Sequence, residues 1–135
     1  MPGTNVLDDA AFLRTFQVMD RVIQDSQPVF MFVWVGSIVA VLATLALGVS
    51  QLSGLELYLL LAAAFSYLFG VQLPTVRFNI PLNNELQSLK LAELDLLELR
   101  RARSDFEPSW NRWNRFRTII SCISAVLFLL LLFRH

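Results

Sequence analysis

From Ser26 to Leu55 the chain carries no Asp, Glu, Lys or Arg, and no other feature restricts its fold as much. Crossing about 30 Å of hydrocarbon takes about 20 residues of helix at 1.5 Å each, so a first membrane span fits within 29–49. Pro28 falls in the opening turn, where a missing N–H leaves no bond unmade. Gly48, Ser50, Ser53 and Gly54 then mark a short turn. A second uncharged stretch predicts a span over 56–76, framed by Glu56 and Arg77, with Pro74 kinking or ending it. The third stretch, Thr118–Phe133, is too short alone, so its helix is expected over 110–133. Arg117 would then snorkel towards the interface, and Trp110 and Trp113 would anchor that end. Three helices apolar all round leave no polar face for water, which excludes a soluble bundle of this size. With 56% hydrophobic and only 16% charged residues, the composition agrees, since soluble domains carry about 25% charge.

Two further helices are expected. Residues 7–25 read as amphipathic, capped by Asp8, with Phe12, Phe16, Met19 and Ile23 on one face. That face could lie in the headgroup region or pack on the rest of the protein. Residues 82–104, rich in Leu, Glu and Arg, predict a cytoplasmic helix. Its leucines spread around the wheel, which suits packing in its own bundle or a position between the membrane and another subunit. Small residues spaced by four (Ala62, Ser66 and Gly70; Gly36 and Ala40; Ser121 and Ala125) mark expected helix contacts. The fold class is therefore all-α: one membrane domain over 1–135, three spans, an N-terminal amphipathic helix and a Leu-rich cytoplasmic one.

Lys and Arg set the expected orientation. Ten of the eleven precede the first span or lie in the 77–117 loop, and Arg134 alone follows the third span. The positive-inside rule puts the N-terminus and that loop in the cytoplasm and the C-terminus opposite, in a bacterial plasma or internal membrane. A formal net charge of zero argues against a nucleic-acid partner. The partners expected are membrane lipids, and other subunits through 82–104 or the faces of the spans. A lone cysteine, Cys122, and a lone histidine, His135, give no metal motif and no Ser-His or Cys-His pair, so no cofactor is expected. Asp8, Asp9, Asp20 and Asp25 rule out a signal peptide at the N-terminus.

Chemistry-bearing side chains gather at the loop ends of spans two and three: Arg77, Asn79, Asn83 and Asn84 in RFNIPLNN, and Trp113, Asn114 and Arg117 in WNRWNRFRT, with Trp110 and Asn111 alongside. Amides and guanidinium groups are costly to leave unpaired near hydrocarbon, so two clusters at one depth should face each other. They could hold a carboxylate, phosphate or quinone-like oxygen under an aromatic lid. Alternatively, the asparagines cap helices around Pro81 and pair with Arg117.

The run VRFNIPLNNEL directly after a span, followed by WNRWNRFRT opening the last one, resembles the anthrone oxygenase-like family of small membrane proteins. LDDAAFLRTFQVMDRVIQDSQPVF is similar to that family's stretch between its first two spans. The Met1-Pro2-Gly3 start resembles a motif closing the first of the family's usual four, so this chain is expected to lack that span. The resemblance implies oxygenation of anthrones without metal or flavin, through a base that makes the substrate anion. It places Asn79, Asn83, Asn84, Trp113, Asn114 and Arg117 at the motif positions. Where the family often has histidine after the WN pair, this chain has Arg115, which is no proton acceptor. The function expected is thus a non-catalytic accessory subunit or binder of a hydrophobic ligand, with a cofactor-independent oxygenase as the alternative. A transporter is disfavoured, because no charge lies deep in a span.

Overall fold

The computed structural model describes residues 8–25 and 28–135; the Met1-Pro2-Gly3 motif and Leu7 lie outside the described residues. Four helices make up the described chain: α1 (Asp9–Gln24), α2 (Pro28–Gln51), α3 (Gly54–Gln87) and α4 (Leu96–Arg134). Among the described residues there is no strand. Helices α2, α3 and α4 are each long and apolar enough to cross a membrane.

Helix α2 buries none of its residues, and Phe32 is 80% exposed. A surface this apolar suits a hydrocarbon solvent. The turn into α3 needs Gly54, whose φ of +55° few side chains tolerate.

Helices α3 and α4 run antiparallel along their whole length. Paired contacts mark the register: Glu56 with His135 at 3.6 Å, the Ser124 hydroxyl donating to the Ala63 carbonyl at 2.8 Å, and Arg117 donating to Thr75 at 2.8 Å. At the far side Trp110 donates to Asn83 at 2.9 Å. The small-residue stripe holds at Gly70 but is offset by one at Ala62 and Ala125. Ala63, Ala64 and Ser124 are buried, while Ala62 and Ala125 face outward. Nothing approaches within 4 Å of a Cβ built on Gly36, and Ala40 is exposed, so that pair makes no contact of this kind. Gly70 is a true close approach: a Cβ there would stand 2.4 Å from Cγ2 of Ile120.

Pro74 neither ends nor breaks its helix, contrary to the expected end of the span at 76. The chain stays helical to Gln87 through two π-helical turns, Leu68–Gln72 and Thr75–Asn79, which precede Pro74 and Pro81. A π turn is wider than an α turn, and it makes room where each proline ring would otherwise meet the previous turn's carbonyl. It also changes which residues share a face. Tyr67 and Gln72, five apart, are hydrogen-bonded at 2.7 Å and both reach α2: Trp34 donates to Gln72 at 2.8 Å, and Ser37 meets the Tyr67 hydroxyl at 2.5 Å.

The Leu-rich segment is likewise not one helix. Residues 80–87 complete α3, Leu91–Glu93 form a 3-10 turn, and 96–104 open α4, started by a capping box between Asp95 and Glu98. The chain reverses because Asp95 caps a new helix more readily than a helix passes through the Ser88–Asp95 bend. Helix α4 then continues without interruption to Arg134, through Pro108.

Helix α1 packs across this end, with Phe12, Leu13 and Phe16 buried against Leu86, Leu99 and Phe106. Phe16 meets Phe106 and Trp110 edge-on, at 4.7 and 4.9 Å between centroids. Arg103 fastens the outer corner by lying 4.3 Å over the Phe12 ring and pairing with Asp9 and Glu107. Packing in the bundle is thus the use of this face. Met19 and Ile23, expected on it, are half exposed, because the inward positions are taken by Leu13, Gln17 and Asp20.

Gly70→Leu is expected to lower stability by about 1–3 kcal/mol through overpacking, seen as a lower melting temperature in detergent. Adding Ile120→Ala should restore part of that loss.

Candidate functional site

Two polar groupings lie one above the other where α1, α3 and α4 meet. The outer one is built around Asp20, which is 5% exposed. Its Oδ1 accepts from Asn83 Nδ2 at 2.9 Å, and its Oδ2 accepts from Gln24 at 2.8 Å and Gln87 at 3.1 Å. Among the described residues no cation pairs with it, so the charge is compensated by amide dipoles alone. Asn83 is used fully, since its Oδ1 accepts the Trp110 indole N–H. Gln17 extends the network by donating to the carbonyls of Leu86 and Leu89 at 2.8 and 3.0 Å. These two bonds close the chain reversal after α3.

The inner grouping is centred on Arg117. Its Nη1 donates to Thr75 Oγ1 at 2.8 Å and its Nη2 to Asn114 Oδ1 at 2.9 Å, while Nε is buried with no partner. Thr75 in turn donates to the Val71 carbonyl at 2.6 Å, which fixes its oxygen towards α4. Between the two groupings stands Asn79, one turn from Thr75 and one from Asn83 on the same face of α3. Asn79 is 3% exposed, yet neither its Nδ2 nor its Oδ1 has a partner. Native interiors rarely leave both ends of an amide unpaired, because each costs about 1–3 kcal/mol.

An aromatic wall adjoins this gap. Phe78 and Trp113 stack with centroids 3.8 Å apart and planes within 4°. The register of α3 and α4 therefore sets Asn79 level with Trp113 and Asn114, with Arg117 and Asn83 each a turn away. The structure does not bring in Arg77, which is exposed with its guanidinium 5.5 Å from the Phe78 ring. Nor does it bring in Asn84, whose oxygen accepts from Gln24 at the surface. The alternative of asparagines as caps paired with Arg117 holds only for Asn114, since Asn79, at the head of the last α-helical part of α3, makes no capping bond.

The sequence reading omitted Asp20, Gln24, Gln87 and Thr75. A signal was present: Asp20 and Gln24 are four apart, as are Asn83 and Gln87, so each pair forms a short ladder on one helix face. Recognising that the ladders oppose each other requires the chain reversal between α3 and α4. Elsewhere, a cavity of about 270 Å³ opens beside Leu82, Leu86, Leu89 and Phe106. It lacks the unpaired buried polar atoms that would orient a ligand. Among the described residues no three His, Cys, Asp or Glu side chains converge as a metal would require. The inner grouping offers instead a cation held by two side chains and an amide with no partner, beside a stacked aromatic pair.

A family model described as "Anthrone oxygenase" matches residues 19–127. No curated protein and no solved structure matches the chain.

Asp20→Ala is expected to strand the amides it holds, at about 1–3 kcal/mol for each left without an acceptor, measured by thermal unfolding in detergent. Asn84→Ala, which loses one surface bond, should stay within about 0.5 kcal/mol of the parent.

Proposed function

Because the chain belongs to the anthrone oxygenase family, its model matching residues 19–127, we propose that the gap around Asn79 and Arg117 binds a planar, ketone-bearing aromatic of the anthrone class. The observation that carries this reading is the buried Asn79 amide with both polar ends unpaired, next to a guanidinium whose Nε is also unpaired. A ketone oxygen would accept a hydrogen bond from the Asn79 amide N–H or from Arg117, and a neighbouring hydroxyl would donate one to the Asn79 oxygen. The Phe78 and Trp113 rings occupy each other's faces, so a fused ring system would meet their edges. In a low-dielectric setting such donors orient a ligand more strongly than they would in water. The ligand would enter from the membrane, where such molecules concentrate, and its oxygen would meet the polar end of the bundle. With the positive-inside rule, that end is the cytoplasmic one.

The family match also favours a second reading, in which the bound anthrone is oxidised. Removal of a proton from the ring CH₂ opposite the ketone gives an anion delocalised onto the ketone oxygen. Arg117 would stabilise that oxygen as its charge develops. The carbanion and O₂ form a C–O bond and yield a hydroperoxide. Loss of water from the hydroperoxide leaves the second carbonyl, so that anthrone and O₂ give anthraquinone and water. Arg115 cannot take the proton, and among the described residues Asp20 is the only buried carboxylate. An accessory role in a larger complex would instead use Leu96 and Leu97, exposed at the start of α4.

Anthraquinone, which cannot be oxidised further, separates binding from turnover. It is expected to quench the fluorescence of the detergent-solubilised protein through Trp113, with affinity reduced about tenfold in Asn79→Leu and in Arg117→Gln, a loss of about 1.4 kcal/mol. Unchanged affinity in both variants would end the ligand-binding reading. Oxygen uptake with an anthrone then judges the second reading, which fails if wild type and Arg117→Gln consume oxygen equally.

A further inference from the structure

Of the arginines outside the groupings above, three flank Phe78 and Trp113 along the chain. Arg77, Arg112 and Arg115 are all exposed, and among the described residues none forms an ion pair. The antiparallel register of α3 and α4 sets two of them at one depth: Thr75 faces Arg117 and Phe78 faces Trp113, so Arg77 is level with Arg115, and Arg112 is about one turn further out. The nearest acid before Arg112 on α4 is Glu107, five residues or about 7.5 Å further out along the helix axis. Glu107 is already engaged by Arg103 at 2.7 Å. Basic and acidic residues therefore cancel in the sum over the chain but are separated by level in the fold.

Two of the three cations are held in place by rings. The Arg77 guanidinium lies 5.5 Å from the Phe78 centroid and that of Arg112 lies 5.5 Å from Trp113, the two rings being the stacked pair. Interleaved with the arginines are apolar side chains that the protein leaves uncovered: Val76 at 53%, Phe116 at 42% and Ile119 at 54% exposure. Arg112, Arg115, Phe116 and Ile119 recur at i, i+3, i+4 and i+7 on one face of α4, and the Phe78–Trp113 stack links Arg77 to it, so positive charge lies at one edge and apolar side chains continue towards the hydrocarbon. That combination matches one molecule with a phosphate at one end and acyl chains at the other. We propose that Arg77, Arg112 and Arg115 form a binding surface for an anionic phospholipid, its headgroup on the guanidinium groups and its chains along Val76, Phe116 and Ile119.

Each basic group at a membrane surface contributes about 1 kcal/mol towards an anionic lipid, roughly a fivefold preference. The test uses the full chain in nanodiscs of phosphatidylcholine, into which either phosphatidylglycerol or phosphatidylcholine with brominated acyl chains is titrated. Bromine quenches tryptophan on contact, and Trp113 lies at the surface in question. Wild type is expected to be quenched at a several-fold lower mole fraction of the anionic lipid than of the zwitterionic one. Arg77→Gln, Arg112→Gln and Arg115→Gln combined should equalise the two, while the three Arg→Lys changes, which keep the charge, should retain most of the preference. Soluble glycerol phosphate should displace nothing, because it lacks the chains. Equal quenching of wild type by both lipids, or a preference that survives the triple Gln change, overturns the proposal. Displacement by glycerol phosphate would reassign the surface to a small anion, and loss of the preference on dimerisation would reassign it to a second copy; either also overturns it.

Discussion

A peptide group inside hydrocarbon has no water to bond to, and each one left open costs several kcal/mol. This requirement governs α3 more visibly than any other part of the molecule. Pro74 and Pro81 each remove a donor and crowd the turn before them, which in water would be relieved by ending the helix. Within the membrane that exit is closed. The chain widens into two π turns, Leu68–Gln72 and Thr75–Asn79, and stays hydrogen-bonded to Gln87. The site inherits this solution. Thr75 and Asn79 open and close the second π turn, so the residues facing Arg117 are positioned by the same adjustment that absorbs the prolines.

Polar contacts in the molecule follow a division of labour. Between α2 and α3 they are neutral and closed, with Trp34, Ser37, Tyr67 and Gln72 satisfying one another. Around Asp20 they are charged and closed, since every donor amide has found the carboxylate. Among the described residues, only around Asn79 and Arg117 are buried side-chain atoms left open. Closed networks fix the helices, and the open one is where something from outside can contribute.

Much of this was legible in the residues. Charge-free length gave three membrane helices and the spacing of Lys and Arg gave an expected sidedness, because both depend on composition summed over many positions. That the loop ends of the second and third spans face each other was also legible, since Arg117 of one motif meets Thr75 just before the other. The errors came where single atoms decide. Pro74 reads as a stop unless the π turn is known, and nothing in the residue types announces one. Asp20 reads as an ordinary solvent-facing acid on an amphipathic helix, because its partners Asn83 and Gln87 are more than sixty residues away. Arg77 and Asn84 belong to the same motif as Asn79 and Asn83, yet helical geometry turns them to other faces. Of the small residues expected at contacts, Gly70 makes one while Ala62 and Ala125 face outward, because spacing alone does not say which side of a helix meets its neighbour.

The π turn at Leu68–Gln72 has a genealogical meaning as well. Such a turn is an α-helix carrying one residue more than its lattice accommodates. Excising that residue would rewind the segment as plain α-helix and swing everything beyond it by about 100°. Tyr67 and Gln72 would then no longer share the side that meets Trp34 and Ser37. A lineage that gained or lost a single codon here would have re-aimed the whole loop-side half of the helix, changing what its binding gap presents without replacing one side chain in it.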